Sequence, residues 1–211
     1  GSLRRVAPDG TISAPIAGVP AVVAEANGGL LGLALDPAFD ANRRVYMAYA
    51  EAGAGDTAGL AVARGVLAGD RLEAVETIFR QTPKVPGRQN YGGRLVFAPD
   101  GSLFVLAGER FAPEAARDPA TTIGKVVRIR PDGTVPADNP FAGVDGADPT
   151  VWSIGHRNPG GGAIHPRTGR LYVAEFGPRG GDELNVARAG GDFGWPDASW
   201  GVHYSGEDIP D

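Results

Sequence analysis

The chain has 211 residues, with 25 acidic against 20 basic side chains, a formal net charge of −5 and no cysteine. The acidic balance argues against a nucleic-acid partner, which usually requires a basic stripe, and the lack of cysteine excludes disulfides, thiolate metal ligands and a cysteine nucleophile. No segment approaches the ~18 apolar residues of a membrane span, and the 33 glycines and 18 prolines favour an all-β chain with many turns.

Three β-hairpins are predicted one after another along the chain. Each consists of an apolar strand, a proline-containing turn and a second strand rich in aromatic or β-branched residues. The proline presets φ for a turn, and a following glycine tolerates positive φ. The turn prolines at positions 37, 99 and 166 are 62 and 67 residues apart. The predicted strand pairs are 33–35 with 45–49, 95–98 with 103–105, and 163–164 with 171–173.

This repetition predicts a β-propeller, in which each repeat forms one four-stranded blade. A strand at 126–130 ends at the turn 131–133, and a further turn is predicted at 8–10. The spacing exceeds the ~40–50 residues of common propeller repeats. Long loops must therefore be inserted between strands, and loops are where functional residues concentrate. The candidate inserts are 80–92, 109–123 and 134–150.

At this spacing the chain accounts for roughly three to four blades, whereas closed propellers usually have about 4–8. An open ring leaves exposed sheet edges, which invite aggregation. We therefore expect one propeller domain over residues 1–211, forming a partial ring that is truncated at one or both ends. A compact four-blade ring is the alternative.

Two loops, 155–159 and 175–185, combine glycine, proline, arginine and paired acids. Arg157 offers a planar fork of donors that suits a carboxylate, and Asn158 offers both a donor and an acceptor. The backbone carbonyls at Gly177-Pro178 are of the kind that calcium prefers. The loops therefore indicate a site for an anionic cofactor held with a hard cation. The alternative for Arg157 and Asn158 is a hydrogen-bonded loop cap.

Seven short motifs occur in order along the chain, and together they resemble those of the soluble quinoprotein sugar dehydrogenases, also called aldose or glucose/sorbosone dehydrogenases. The motifs are GGLLGLA (28–34), GGRL (92–95), IGKV (123–126), DNPF (138–141), WSIGHRNP (152–159), GPRGGDELN (177–185) and GWP (194–196). The resemblance implies a six-bladed propeller that binds pyrroloquinoline quinone (PQQ) and calcium and oxidises the anomeric hydroxyl of an aldose. It also implies a periplasmic or secreted location, and it leaves the oligomeric state open.

The resemblance further implies roles for individual residues. It places the side chains of four residues at PQQ, of which Arg157 also belongs to the catalytic group. These four are Asn27, Arg157, Asn158 and Asp182. It assigns the carbonyls of Gly177 and Pro178 to the calcium beside PQQ, and Glu183 with the backbone of Phe193 to a second, structural calcium. Considered without the resemblance, Asp182-Glu183 is more typical of a solvated turn.

The sequence departs from the family at polar positions of the site. Asn90 stands where the family has the histidine that acts as catalytic base, and an amide cannot act as a base near neutral pH. Losing a general base typically costs ~10²–10⁴ in rate. Glu109 is one methylene longer than the family's usual aspartate, and Gly160 and Phe176 replace polar residues. His156 is a candidate replacement base, with a structural hydrogen-bonding role as the alternative.

Two hypotheses follow. The first is a PQQ- and calcium-dependent sugar dehydrogenase with a remodelled site. The second is a binding module for a sugar or another small ligand, which has kept the scaffold and lost the chemistry. The tryptophans at 152, 195 and 200 are interpreted as blade packing rather than as a platform for a sugar.

Overall fold

A computed structural model describes residues 1–210, and Asp211, the last residue of the predicted domain, lies outside this range. The described residues form antiparallel sheets with very little helix, as the composition predicts. No helix among them is long and apolar enough to cross a membrane.

The first sheet, blade 1, is an antiparallel meander in which each strand pairs with the next along the chain. A short fifth strand pairs with the start of the third. A single turn of α-helix, α1 (Phe39–Asn42), lies in the first connection. The strands are β1 (Leu30–Leu35), β2 (Arg44–Ala52), β3 (Thr57–Ala68), β4 (Arg71–Arg80) and β5 (Val85–Pro86).

Two further sheets follow the same meander order. Blade 2 has four strands and a long connection between its second and third, which carries a short 3-10 helix at Pro113–Ala116. Blade 3 has three strands. Blade 2 consists of β6 (Gly92–Phe97), β7 (Leu103–Ala107), β8 (Lys125–Ile129) and β9 (Val151–Ser153), and blade 3 of β10 (Pro159–Ile164), β11 (Leu171–Glu175) and β12 (Glu183–Ala187).

The first two strands of each blade form the three predicted hairpins, with the proline turns at their tips. The first strands of neighbouring blades also contact each other, β1 with β6 and β6 with β10. The blades therefore lie side by side, with the first strand of each blade next to the first strand of its neighbour. The prediction of a partial β-propeller ring is confirmed, at the lower end of the predicted number of blades.

The core lies between the blades, because alternate residues of a strand point to opposite faces of its sheet. Tyr46 and Leu60 of blade 1 pack with Val105 and Val127 of blade 2 in one buried cluster. Phe104 and Leu106 from blade 2 pack against Leu171 and Val173 of blade 3 in another. Burying each such aliphatic side chain is worth about 1.5–3 kcal/mol, so inter-blade packing holds the loops at the blade ends in place.

Gly32 lies where blade 1 meets blade 2 so closely that a side chain cannot fit. A Cβ atom at this position would lie 2.1 Å from the carbonyl oxygen of Gly93. We expect Gly32→Ala to lower the free energy of unfolding by about 3 kcal/mol, because overpacking here must displace backbone. Urea denaturation measures the change. Gly161→Ala is the matched control, since its Cβ would meet only the methyl group of Ala174 at 3.2 Å; equal losses for the two variants would contradict the argument.

The connection from β7 to β8 is fastened at both ends by buried cations. Near its start, Arg110 donates to the carbonyl oxygens of Ala58, Gly87 and Gln89 at 2.7–2.8 Å. These bonds fix the loop that precedes β6, which carries Asn90. The guanidinium also lies 3.6 Å from the ring centroid of Tyr91.

At the other end of the connection, Lys125 is completely buried at the start of β8. Its ammonium group donates to the carbonyl oxygens of Ala115, Ala116 and Ile123 at 2.6–2.8 Å. Three donors thus meet three acceptors at the end of the 3-10 helix. Burial lowers the pKa of Lys125 to about 7, against the opposing charges of Asp118, Asp192 and Asp148.

Candidate functional site

The predicted site residues gather at one end of blades 2 and 3 because of the strand pairing. In an antiparallel hairpin, the start of the first strand lies beside the end of the second. Gly92 pairs with Ala107 in blade 2, and Pro159 pairs with Glu175 in blade 3. The segments around positions 90, 109, 157 and 177 therefore leave the sheets at the same end.

Arg157 is at the centre of this group and is 6% exposed. Its Nη1 donates to the carbonyl oxygens of Phe176 at 2.6 Å and Gly177 at 2.8 Å, and its Nη2 donates to the hydroxyl of Tyr204 at 3.3 Å. Its Nε is buried without a hydrogen-bond partner among the described residues. The guanidinium lies 5.2 Å from the ring of Trp195. Arg157 thus links the two loops that the sequence analysis singled out and keeps one donor unused.

Asn90 and Glu109 form a buried pair beside Arg157. The side-chain amide of Asn90 donates to Glu109 Oε1 at 2.5 Å, and the backbone N–H of Glu109 donates to the carbonyl oxygen of Arg157 at 2.8 Å. Glu109 Oε2 has no hydrogen-bond partner in the part of the chain that the structure describes. Burial raises the pKa of Glu109, while the Asn90 hydrogen bond and the charge of Arg157 oppose the rise. This pairing was not predicted from the sequence, which identified Glu109 only as a departure from the family.

A cavity of about 160 Å³ opens between these loops. Its walls combine one carboxylate, one guanidinium and several rings, and Asn90 is not among the residues that line it. The main lining residues are Glu109, Arg157, Pro178, Trp195, His203 and Tyr204. A few polar groups set among aromatic walls are typical of the lining of a small-molecule site, but the volume is below the roughly 300–1,000 Å³ usual for such sites.

The other predicted cofactor residues lie at different distances from this cavity. Asn158 Oδ1 accepts the backbone N–H of Gly92 at 3.2 Å, which joins blade 3 to blade 2. The Asp182 carboxylate accepts the backbone N–H of Gly177 at 2.9 Å and so shapes the loop there. Asn27 is exposed, and its backbone N–H donates to Arg88. Asn158 and Asp182 are thus connected to Arg157 through hydrogen-bonded neighbours, whereas Asn27 is not.

The predicted calcium residues fall into two groups. The Gly177 carbonyl accepts from Arg157, and Pro178 lines the cavity. Glu183 Oε2 accepts the side-chain amide of Asn185 at 2.8 Å, and burial raises the pKa of Glu183, with the charge of Glu175 adding to the rise. In residues 1–210, no group of three or more His, Cys, Asp or Glu side chains is placed to hold a metal. A cation here would depend largely on backbone carbonyls.

His156 lies away from the cavity. Its Nε2 bonds to Ser153 Oγ at 2.7 Å, its Nδ1 bonds to Glu175 Oε1 at 2.5 Å, and its ring stacks on that of Phe193. It is completely buried, with both ring nitrogens in use. The hypothesis that His156 replaces the catalytic base is therefore wrong, and its role is structural.

The tryptophan interpretation is correct for Trp152, which packs edge-on against Phe104 at 4.9 Å between the ring centroids. It is wrong for Trp200, which is 81% exposed, and incomplete for Trp195, whose ring lines the cavity. Tyr204 and His203 were also missed as cavity residues. Their signal was weak, because they lie in a loop without strand periodicity.

The model of the glucose/sorbosone dehydrogenase family matches residues 1–211. The aldose sugar dehydrogenase YliI of Escherichia coli (strain K12) is 43% identical over 213 residues, covering 100% of this chain and 57% of the relative. The chain thus spans just over half the length of this curated relative.

Comparison with solved structures gives the same family. A crystal structure of glucose dehydrogenase superimposes with a TM-score of 0.97 at 47% identity, covering 100% of this chain and 61% of that one. The PQQ-bound aldose sugar dehydrogenase of Streptomyces coelicolor gives a TM-score of 0.81 at 33% identity, covering 99% of this chain and 60% of that one. Because the family model matches throughout and the similarity extends to the three-dimensional structure, the chain belongs to the glucose/sorbosone dehydrogenase family.

Proposed function

We propose that the protein is an oxidoreductase that uses PQQ and calcium to oxidise the anomeric hydroxyl of an aldose. The observation that carries the proposal is the buried Arg157 guanidinium, which lines the cavity and whose Nε has no partner in the described part of the chain. An arginine in this setting suits a planar anion, because its fork binds carboxylates and its face lies against aromatic rings. PQQ is a planar molecule that bears several carboxylates.

The residues present fit PQQ in three respects. Two buried donors near the cavity, Arg157 Nε and Trp195 Nε1, have no partner among residues 1–210. The rings of Trp195 and Tyr204 provide flat surfaces beside the guanidinium. A relative with 33% identity binds this cofactor in its solved structure. A buried polar group without a partner costs about 1–3 kcal/mol, so a ligand that satisfies these donors gains that amount.

In this proposal, each residue has a defined task. Arg157 binds a carboxylate of the cofactor and holds the loop carbonyls of Phe176 and Gly177 in place. Asp182 fixes the Gly177 backbone, and Asn158 fixes the join between blades 2 and 3. Bound PQQ supplies a quinone that accepts two electrons from the sugar. The rings around the cavity exclude water from the reacting atoms.

Calcium belongs to the same proposal through the carbonyls of Gly177 and Pro178. Calcium takes about six to eight oxygens, and carbonyls and cofactor carboxylates can supply them. Glu183, with the backbone of Phe193, is the proposed second site. Its support is that Asn185 links the carboxylates of Glu175 and Glu183, at 3.2 and 2.8 Å, where a cation would relieve their repulsion.

Titration of the purified protein with PQQ, followed by tryptophan fluorescence, tests the cofactor assignment. We expect saturable binding that weakens by about tenfold or more when calcium is removed with EGTA, because the proposed ion bridges protein and cofactor. Magnesium is the control, since it requires a smaller octahedral site and should not restore affinity. Equal affinity with and without calcium would contradict the calcium assignment, and absence of saturable PQQ binding would contradict the cofactor assignment.

Dye reduction by the PQQ-loaded protein with an aldose distinguishes the enzyme from the alternative. Turnover above a cofactor-free control supports the dehydrogenase. Binding without turnover favours the binding module, which is the hypothesis that Asn90 supports. The periplasmic or secreted location belongs to this proposal and rests on the family alone.

A further inference from the structure

We propose that Glu109, rather than the side chain at position 90, accepts the proton of the substrate hydroxyl in this site. The inference rests on the proposed function and adds a catalytic residue to it. In this assignment, Asn90 is a positioning residue that acts through Glu109.

The geometry of Glu109 meets the requirements of a general base. The side chain lies on the loop that directly follows β7 and lines the same cavity as Arg157. Oε1 is held by the Asn90 amide at 2.5 Å, and Oε2 is buried with no partner within residues 1–210. One oxygen is thus fixed and the other is free to receive a proton. A free buried carboxylate oxygen is costly to maintain, and a substrate hydroxyl would satisfy it.

The surroundings of Asn90 explain why it is not the base. Its amide nitrogen already donates to Glu109, and its backbone carbonyl oxygen accepts from the backbone of Arg110 at 3.3 Å. Its φ of +48° lies in the left-handed region, which asparagine tolerates better than most residues. Position 90 therefore combines an unusual backbone conformation with a donor aimed at Glu109.

Burial is the main influence on the pKa of Glu109, and the neighbouring charges act on it in both directions. Burial raises its pKa, and the negative charge of Glu114 adds to the rise. Arg157 lies beside it and opposes the rise, as does the Asn90 hydrogen bond. Arg110 follows it in the chain, and His203 faces the same cavity. General bases are most effective when their pKa is brought near the working pH.

The step balances with the cofactor already proposed. The anomeric O–H bond breaks and its proton passes to Glu109 Oε2. The C1–H bond breaks and its electron pair leaves with the hydrogen as hydride to the quinone. A C=O bond forms at C1, so the sugar is oxidised by two electrons and the quinone is reduced by two.

Three variants and two measurements test the assignment. Glu109→Gln keeps the size and an acceptor for Asn90 but cannot take up a proton. Glu109→Asp keeps the carboxylate one methylene further from the cavity. Glu73→Gln is the matched control, because it removes the same charge from an exposed side chain on β4 of blade 1, which does not line the cavity. PQQ affinity and aldose turnover against pH are measured for each variant.

A third measurement does not depend on turnover. Carbon-13 NMR of carboxyl-labelled glutamate follows the Glu109 resonance, assigned by its absence in Glu109→Gln, as pH rises in the cofactor-free protein. We expect this carboxyl to titrate above the ordinary glutamate range, because burial raises its pKa.

For Glu109→Gln, turnover should fall by about 10²–10⁴ while PQQ affinity changes by less than about threefold. Glu109→Asp should retain intermediate turnover. Its turnover should still fall as the pH is lowered, because the aspartate carboxylate can still be protonated. Turnover of Glu109→Gln within threefold of the parent, or an ordinary Glu109 titration, overturns the inference and leaves the proposed function standing. A parent protein that neither binds PQQ nor oxidises aldoses overturns the proposed function, and the inference with it.

Discussion

Arg157→Lys is expected to weaken PQQ binding by about 100-fold while leaving most of the fold intact. Lysine keeps the positive charge but replaces a planar fork by a single point of attachment. It cannot bridge the carbonyls of Phe176 and Gly177 and also bind a carboxylate as arginine does. Charge-assisted hydrogen bonds are worth about 1.5–3 kcal/mol each, and about 2.7 kcal/mol corresponds to the expected 100-fold.

The measurement is a fluorescence titration with PQQ in the presence of calcium, accompanied by thermal unfolding of each variant. Arg167→Lys serves as control, because Arg167 is exposed at the turn between β10 and β11, at the opposite end of the hairpin that carries Arg157. If Arg157→Lys binds PQQ as tightly as the control does, the guanidinium is a structural link between loops and not a cofactor ligand.

The hairpins could be predicted because their determinants are local. A proline and a following glycine fix the turn in the second and third hairpins, whereas Pro37 leads into α1. Alternating apolar residues fix the faces of the flanking strands. The pairs Leu35–Val45, Phe97–Leu103 and Ile164–Leu171 next to the turns follow from the sequence alone. The partial ring followed from the spacing of the hairpins compared with the length of the chain.

The arrangement of the site could be predicted only in part. Arg157 and Gly177 belong to loops with recognisable motifs, and the structure joins them by a 2.8 Å hydrogen bond. The contact between Asn90 and Glu109 depends on two loops at the ends of adjacent strands, 19 residues apart. No periodicity or motif specifies that contact. His156 shows the converse: its motif placed it near the site, but its neighbours bury it behind the site.

The two departures at positions 90 and 109 are best understood together. Asparagine is shorter than the family's histidine, and glutamate is one methylene longer than the family's aspartate. The structure joins the two side chains directly at 2.5 Å. A shorter residue on one loop thus faces a longer one on the other, and the two side chains meet. Considered singly, Asn90 indicates lost activity; with Glu109 in its proposed role, the pair retains a proton acceptor.

Lys125→Met is expected to lower the free energy of unfolding by about 3 kcal/mol at pH 7. The methionine fills most of the volume of the buried side chain but leaves the carbonyls of Ala115, Ala116 and Ile123 without their donor. Each unsatisfied buried acceptor costs about 1–3 kcal/mol. The variant no longer has to bury an amine, and this offsets part of the total cost. Lys84→Met is the control, because Lys84, the other lysine of the chain, makes an ion pair with Glu51 nearer the surface.

The pH dependence of this loss separates the buried amine from ordinary packing. The pKa of Lys125 is lowered to about 7 in the folded protein, from an ordinary value of 10.5. Between these values the unfolded chain binds more protons, so this group makes the folded state more stable as pH rises. Methionine does not titrate, and the gap between parent and Lys125→Met should therefore widen by roughly 2 kcal/mol from pH 7 to pH 9. Urea denaturation at the two pH values measures the gap. A constant gap would mean that the ammonium stays charged, stabilised by its three carbonyl partners.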